Sequence, residues 1–170
     1  MADMLRPQLQ SDPSRGLLLT AHFQIAYATN DINRARVLLA ERYGITRWQS
    51  LEGPLKDGGH ICVELAWVGT VMYELLTATG EGSAIYMNRL PAEDGFYLRH
   101  HHLGYCITDN SQWAALMAEI EAKGHQMPHV SFNEGFMKSC FVDAPELGHC
   151  LEYICPEPEG LVFFNAVPGN

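Results

Sequence analysis

Four residues of the types that hold metal ions recur in this chain at one fixed offset. Laid over itself with a shift of 78 positions, the 170-residue sequence puts His22 on His100, Gln24 on His102, Asp31 on Asp109 and Glu74 on Glu152. Imidazole, carboxamide and carboxylate are donors that a divalent ion accepts, and a carboxylate beside a polarised carbonyl is also a base. In each half a ligand-type residue is followed 50 positions later by a glutamate, Gln24 by Glu74 and His102 by Glu152. A lone strand glutamate or histidine is ordinarily solvated or packed. Four coincidences in one register instead imply a duplicated module and a metal centre assembled from both copies.

The elements that must position these residues also repeat. Residues 1–20 carry two prolines and no stable period, and are expected to form an arm. A first module, 21–78, begins with a strand-like run from Ala21 to Ala28. Asp31 then offers a cap for a helix with Ile32, Ala35, Leu38 and Leu39 at helical spacing, and Gly44 ends it. Strand-like runs follow at 46–51, 60–68 and 70–77, broken by Gly58-Gly59 and by Gly69. Residues 79–98 read as a linker with a helical piece near Ala84 to Leu90. A second module, 99–156, repeats the order: a strand from His100 to Ile107, a helix capped around Asp109 and closed by Gly124, then runs at 126–132, 136–142 and 149–155. Trp113, Leu116, Met117 and Ile120 form the buried face of the second helix. The expected fold is α+β, two tandem βαβββ modules whose sheets curve around a metal-binding cavity. Residues 157–170 form a tail carrying the apolar patch Leu161-Val162-Phe163-Phe164, expected to pack on its own domain or on a partner subunit.

Composition narrows the partners. A formal charge of −9 argues against nucleic acid, which rewards clustered Lys and Arg. No run approaches the roughly 18 apolar residues of a membrane helix. Five cysteines with no CxxC pair fit reduced thiols in a cytoplasmic protein.

Strict period two places His22, Gln24, Ala26 and Ala28 on one face of the first strand, and His100, His102, Gly104 and Cys106 on one face of its repeat, with His101 turned the other way. Glu74 shares a face with Met72 and Leu76, and Glu152 with Cys150 and Ile154. A carboxylate among apolar neighbours needs water or a cation, and two in equivalent positions need the same remedy. Gln24, Glu74, His102 and Glu152 are therefore the expected metal ligands. His22 and His100 stand by as substitutes or as pocket-lining neighbours. His60, His125, His129 and His149 have no counterpart under the shift and are assigned to the surface.

The runs Gln24-Ile25-Ala26-Tyr27-Ala28-Thr29-Asn30-Asp31 and His102-Leu103-Gly104-Tyr105-Cys106-Ile107-Thr108-Asp109, the closing strands Met72-Tyr73-Glu74-Leu75-Leu76 and Cys150-Leu151-Glu152-Tyr153-Ile154, and the turn from Asp143 to Gly148 together resemble the vicinal oxygen chelate superfamily. That group includes glyoxalase I, methylmalonyl-CoA epimerase, extradiol dioxygenases and fosfomycin-resistance proteins. The resemblance spans residues 21–155. It implies metal positions at Gln24, Glu74, His102 and Glu152, a set similar to that of zinc-type glyoxalase I. Zinc is the first expectation, with nickel, cobalt, manganese and iron as alternatives. Two departures from glyoxalase I argue against glutathione: Leu75-Leu76 follows Glu74 where that enzyme carries an Asn, and Tyr27 stands on the first strand where it carries an Arg.

The implied chemistry is that of a metal-dependent isomerase, lyase or epimerase acting on a small molecule with a carbonyl or vicinal oxygens. Glu152 is the first candidate base, and Glu74 a ligand or second base. Two alternatives come from other classes: an Fe(II) extradiol dioxygenase, against which the second glutamate speaks, and a metal-free sequestering protein of the bleomycin-resistance type. The resemblance and the apolar tail also imply a homodimer burying at least about 1,200 Å².

Overall fold

A computed structural model of the chain describes residues 16–18 and 21–170. β1 (His22–Thr29) leads into α1 (Ile32–Tyr43), β2 (Gln49–Pro54), β3 (His60–Val68) and β4 (Val71–Thr79). A one-turn helix, α2 (Ala84–Met87), lies in the connection. β5 (Leu98–Cys106), α3 (Asn110–Lys123), β6 (His129–Asn133), β7 (Met137–Ala144) and β8 (His149–Pro156) repeat the series, and α4 (Pro158–Asn165) follows.

Both long helices start and stop where side-chain chemistry dictates. The Asp31 carboxylate accepts from the Arg34 backbone N–H at 2.9 Å, and Asp109 from that of Gln112 at 2.9 Å. Each satisfies an amide that the first helical turn leaves open. Gly44 (φ 71°) and Gly124 (φ 68°) end the helices in the left-handed region, which costs a residue without Cβ little.

The eight strands form one sheet in the order β2-β3-β4-β1-β5-β8-β7-β6. Within each module the first strand runs parallel to the last, β1 to β4 and β5 to β8; the modules meet where β1 and β5 pair antiparallel. This is the expected pair of βαβββ units, joined side by side within one chain. The helices cover the outer face. Ala35, Leu39 and Ile45 pack with Ala66 and Leu75, while Trp113, Leu116 and Ile120 pack with Tyr105, Cys140, Val142 and Tyr153. Alternate residues of the same strands, among them Glu74, Leu76, His102, Phe141 and Glu152, turn to the concave face.

Three segments outside the modules complete the fold. The connection between modules is more than a linker: α2 folds onto the concave face, where Tyr86 packs with Leu76, Phe141 and Cys150. The tail is ordered by packing within its own chain. Phe163 and Phe164 of α4 lie against Phe136 with ring centroids 5.6 and 6.1 Å away. The Trp67 amide donates to the Pro168 carbonyl and that of Asn170 to the Trp67 carbonyl, each at 2.9 Å. Only Leu161 and Val162 of the apolar patch stay exposed. Of the expected arm, residues 1–15 and 19–20 lie outside the described residues. Leu17 and Leu18 pack against the second module, with the Leu17 amide donating to Glu119 at 2.6 Å.

Candidate metal centre

Gln24, Glu74, His102 and Glu152 meet at the seam between the modules. Gln24 and His102 come from the paired β1 and β5, and the glutamates from the strands flanking that pair. The carboxylates and His102 Nε2 lie within 4.8 Å of one another, and all four residues are buried. His102 Nε2 stands 2.9 Å from Glu152 Oε2 and 3.9 Å from Glu74 Oε2. The Gln24 amide donates to Glu74 Oε2 at 2.7 Å and turns its oxygen toward His102 Nε2 at 3.4 Å. It can lie there because residue 104 is glycine: a Cβ on Gly104 would stand 2.8 Å from Gln24 Cβ and closer still to the carboxamide oxygen.

The two histidines held in reserve lie elsewhere, and one structural device explains both. The β1–β5 register shifts between His22 and Gln24, and again opposite Ala26 and Tyr27. Phe23 and His101 are the extra residues, 78 positions apart, so the bulge is duplicated with the module. A bulge inverts the parity of what lies beyond it. His22 is exposed beside Tyr105, at 6.3 Å between ring centroids. His100 sits against Tyr27 and His149 on the helix-covered side. His101, expected to face away, is fully buried next to His102.

His101 fixes the protonation pattern of its neighbour. Its Nε2 is 3.0 Å from the Ile85 carbonyl oxygen, which can only accept, so this nitrogen carries the hydrogen. Burial and the adjacent His102 push the His101 pKa down to about 4. The ring is neutral at pH 7, and its Nδ1 accepts from His102 Nδ1–H at 2.9 Å. Neutral His102 then presents a bare Nε2 lone pair to the two carboxylates.

Without a positive charge that arrangement is frustrated. Among the described residues no Lys or Arg pairs with Glu74 or Glu152. Burial raises the Glu74 pKa to about 7, with His102 and the Gln24 hydrogen bond opposing and Glu152 adding to the rise. Burial also works against a charged His102, yet Glu152 and then Glu74 outweigh it and its pKa is raised. A proton thus does at this point what a cation would do. A divalent ion holding N and O donors at about 2.0–2.2 Å keeps adjacent donors about 3 Å apart and opposite ones about 4 Å apart, which matches the separations here. The site fits such an ion.

Gln24, Glu74 and Glu152 form the floor of a cavity of about 760 Å³, with His102 buried behind Glu152. His129, assigned to the surface from sequence, lines the cavity beneath Tyr86, whose hydroxyl is 3.4 Å from His129 Nε2. Under the 78-residue shift Tyr86 falls on Phe164 and His129 on Leu51, neither a ligand-type residue, so the signal that finds the other four is silent here. Phe136 lines the same cavity; Phe23 and Trp67 line a second, smaller pocket near the chain end, and Tyr105 packs beneath α3.

No protein-family model matches this sequence, and neither does any curated protein. Solved structures do match. Methylmalonyl-CoA epimerase of Streptomyces coelicolor, as a point variant in complex with 2-nitronate-propionyl-CoA, superposes with a TM-score of 0.59 at 19% identity, over 82% of this chain and 96% of that one. A methylmalonyl-CoA epimerase in complex with methylmalonyl-CoA and NH4+ gives 0.58 at 19%, over 82% and 99%. The Mycobacterium tuberculosis epimerase gives 0.58 at 14%, over 88% and 99%. At such identities the likeness is one of fold. Paired βαβββ modules, one eight-stranded sheet and these neighbours show that the chain has the fold of these epimerases, the fold that its resemblance to the vicinal oxygen chelate superfamily implies.

Proposed function

We propose that this chain is a metal-dependent isomerase of the glyoxalase kind, with epimerase as the near variant, which moves a proton next to a substrate carbonyl. The carrying observation is the buried set Gln24, Glu74, His102 and Glu152 at the cavity floor, with two carboxylates and no Lys or Arg paired to them among the described residues. The fold neighbours are epimerases by name, which supports the epimerase variant. When bound, a divalent ion such as zinc would polarise the substrate carbonyl and stabilise the enolate.

The chain's own groups divide the remaining work. His102 Nε2 and the Gln24 carboxamide oxygen would hold the ion without exchanging protons with substrate. Glu152 faces the cavity and takes the α-proton, returning it to the same carbon or a neighbouring one. Glu74, steadied by the Gln24 amide, is a ligand or the base on the opposite face. The apolar walls limit water around the exposed carbanion. Free thiols among the described residues suit a cytoplasmic protein.

Replacing Glu152 with Gln tests this. The neutral amide neither takes a proton nor matches a carboxylate as ligand. Exchange of a substrate's α-hydrogen into D2O, followed by NMR with zinc, nickel or cobalt present, is expected to fall about 10²–10⁴-fold with the circular dichroism unchanged. Undiminished exchange would remove Glu152 from the reaction.

A further inference from the structure

The cavity's floor and walls differ in chemistry. Above the carboxylates the walls are apolar from both halves: Leu55, Ile61 and Val63 on one side, Phe136, Met137 and Phe141 on the other. Lys56 is the only Lys or Arg among the described lining residues, and Glu52 lines the same wall. Leu55, Ile61, Val63, Phe136 and Met137 line the cavity yet are only half-buried. Apolar surface of that kind is stabilised when a ligand covers it. A ligand's phosphates, in contrast, need several Arg, Lys or helix N-terminal donors, and this lining offers one lysine beside three glutamates.

We propose that the substrate is a compact carbonyl compound with an apolar body, aryl or branched alkyl, whose vicinal oxygens reach the floor, and that it is not a coenzyme A thioester. The fold neighbours with bound ligands hold such thioesters, so the chain departs from them in substrate while keeping their fold. The cavity volume of about 760 Å³ lies in the range of small-ligand sites. The inference rests on the isomerase reading for the role of the floor, but the walls decide the class of substrate.

The test uses the full chain loaded with zinc and two probes, 1-phenylpropane-1,2-dione and propionyl-CoA, with binding measured by calorimetry and α-hydrogen exchange by NMR. The dione is expected to bind at least about tenfold more tightly. Met137→Ser, at a half-buried wall position, is expected to weaken dione binding about fivefold, the loss of about 40 Å² of apolar contact, with zinc affinity unchanged. Leu55→Ser, on the opposite wall, is expected to act in the same direction. Propionyl-CoA binding as tightly as the dione, or dione affinity indifferent to both substitutions, would overturn the proposal. Tight dione binding without exchange would uphold the substrate class and sink the isomerase reading. Tight thioester binding with exchange would do the reverse.

Discussion

Replacing Glu74 with Gln should make the metal-free protein more stable, increasingly so as pH rises from about 5 to 7 and above. A carboxyl with a pKa of 4.5 in the unfolded chain and about 7 in the fold favours folding least when ionised. Its contribution is intact below pH 4.5 and is lost as pH rises through 7. At about 1.4 kcal/mol per pH unit the loss is about 3 kcal/mol at pH 8 and under about 1 kcal/mol at pH 5. Gln keeps the shape and can still accept from Gln24, giving back about 1 kcal/mol because a neutral acceptor is weaker than a charged one. The net gain at pH 8 is about 2 kcal/mol, or about 4–8 °C in Tm for a chain of this size. Differential scanning calorimetry in EDTA at pH 5 and pH 8 measures it. Excess zinc should invert the order at pH 8, since the parent site binds the ion better than the variant. Equal shifts at both pH values, or a variant less stable at pH 8 without metal, would refute the account of Glu74 as a buried carboxylate built to face a cation.

Three further outcomes follow from the same geometry. His101→Phe removes the acceptor that keeps the hydrogen on His102 Nδ1; zinc affinity, read by competition with a chromophoric chelator, should fall about 10- to 100-fold with the fold retained. Zinc binding should weaken about 10- to 100-fold from pH 8 to pH 6, because the raised pKa values of Glu74 and His102 mean the ion must displace protons; calorimetry in buffers of different ionisation enthalpy counts them. Sedimentation at micromolar concentration is expected to show a dimer rather than 19.0 kDa, while mixing Glu74→Gln with Glu152→Gln chains should restore nothing, since one chain carries the whole set.

The parts legible in the sequence are those fixed by local rules or by repetition. Asp31, Gly44, Asp109 and Gly124 mark the helix ends because capping chemistry is local. The 78-residue shift exposes the two modules because duplication copies register. Strict alternation fails beside the site, for a physical reason: Phe23 and His101 each add one residue to a strand, and nothing in their side chains announces a bulge. The bulge places two consecutive histidines on the concave face, which period two forbids. Tyr86 and His129 escape a sequence reading because their place in the cavity depends on α2 folding back over the sheet, a tertiary contact without a sequence period. The tail's helix is hidden for a similar reason, since Phe163 and Phe164 acquire meaning only from Phe136 beneath them.

The seam between β1 and β5 bears on how such a centre can change over time. When two identical subunits share a site, any substitution appears in both halves, and symmetry is enforced by genetics. Here both halves belong to one polypeptide, so each can drift alone. Gln24 answers to His102, and Ala26 to Gly104, whose missing side chain leaves room for Gln24. The two glutamates have parted company as well, one held by an amide at 2.7 Å and the other by an imidazole at 2.9 Å. Within one polypeptide the two carboxylates need not stay equivalent, and under the proposed function one could hold while the other moves protons.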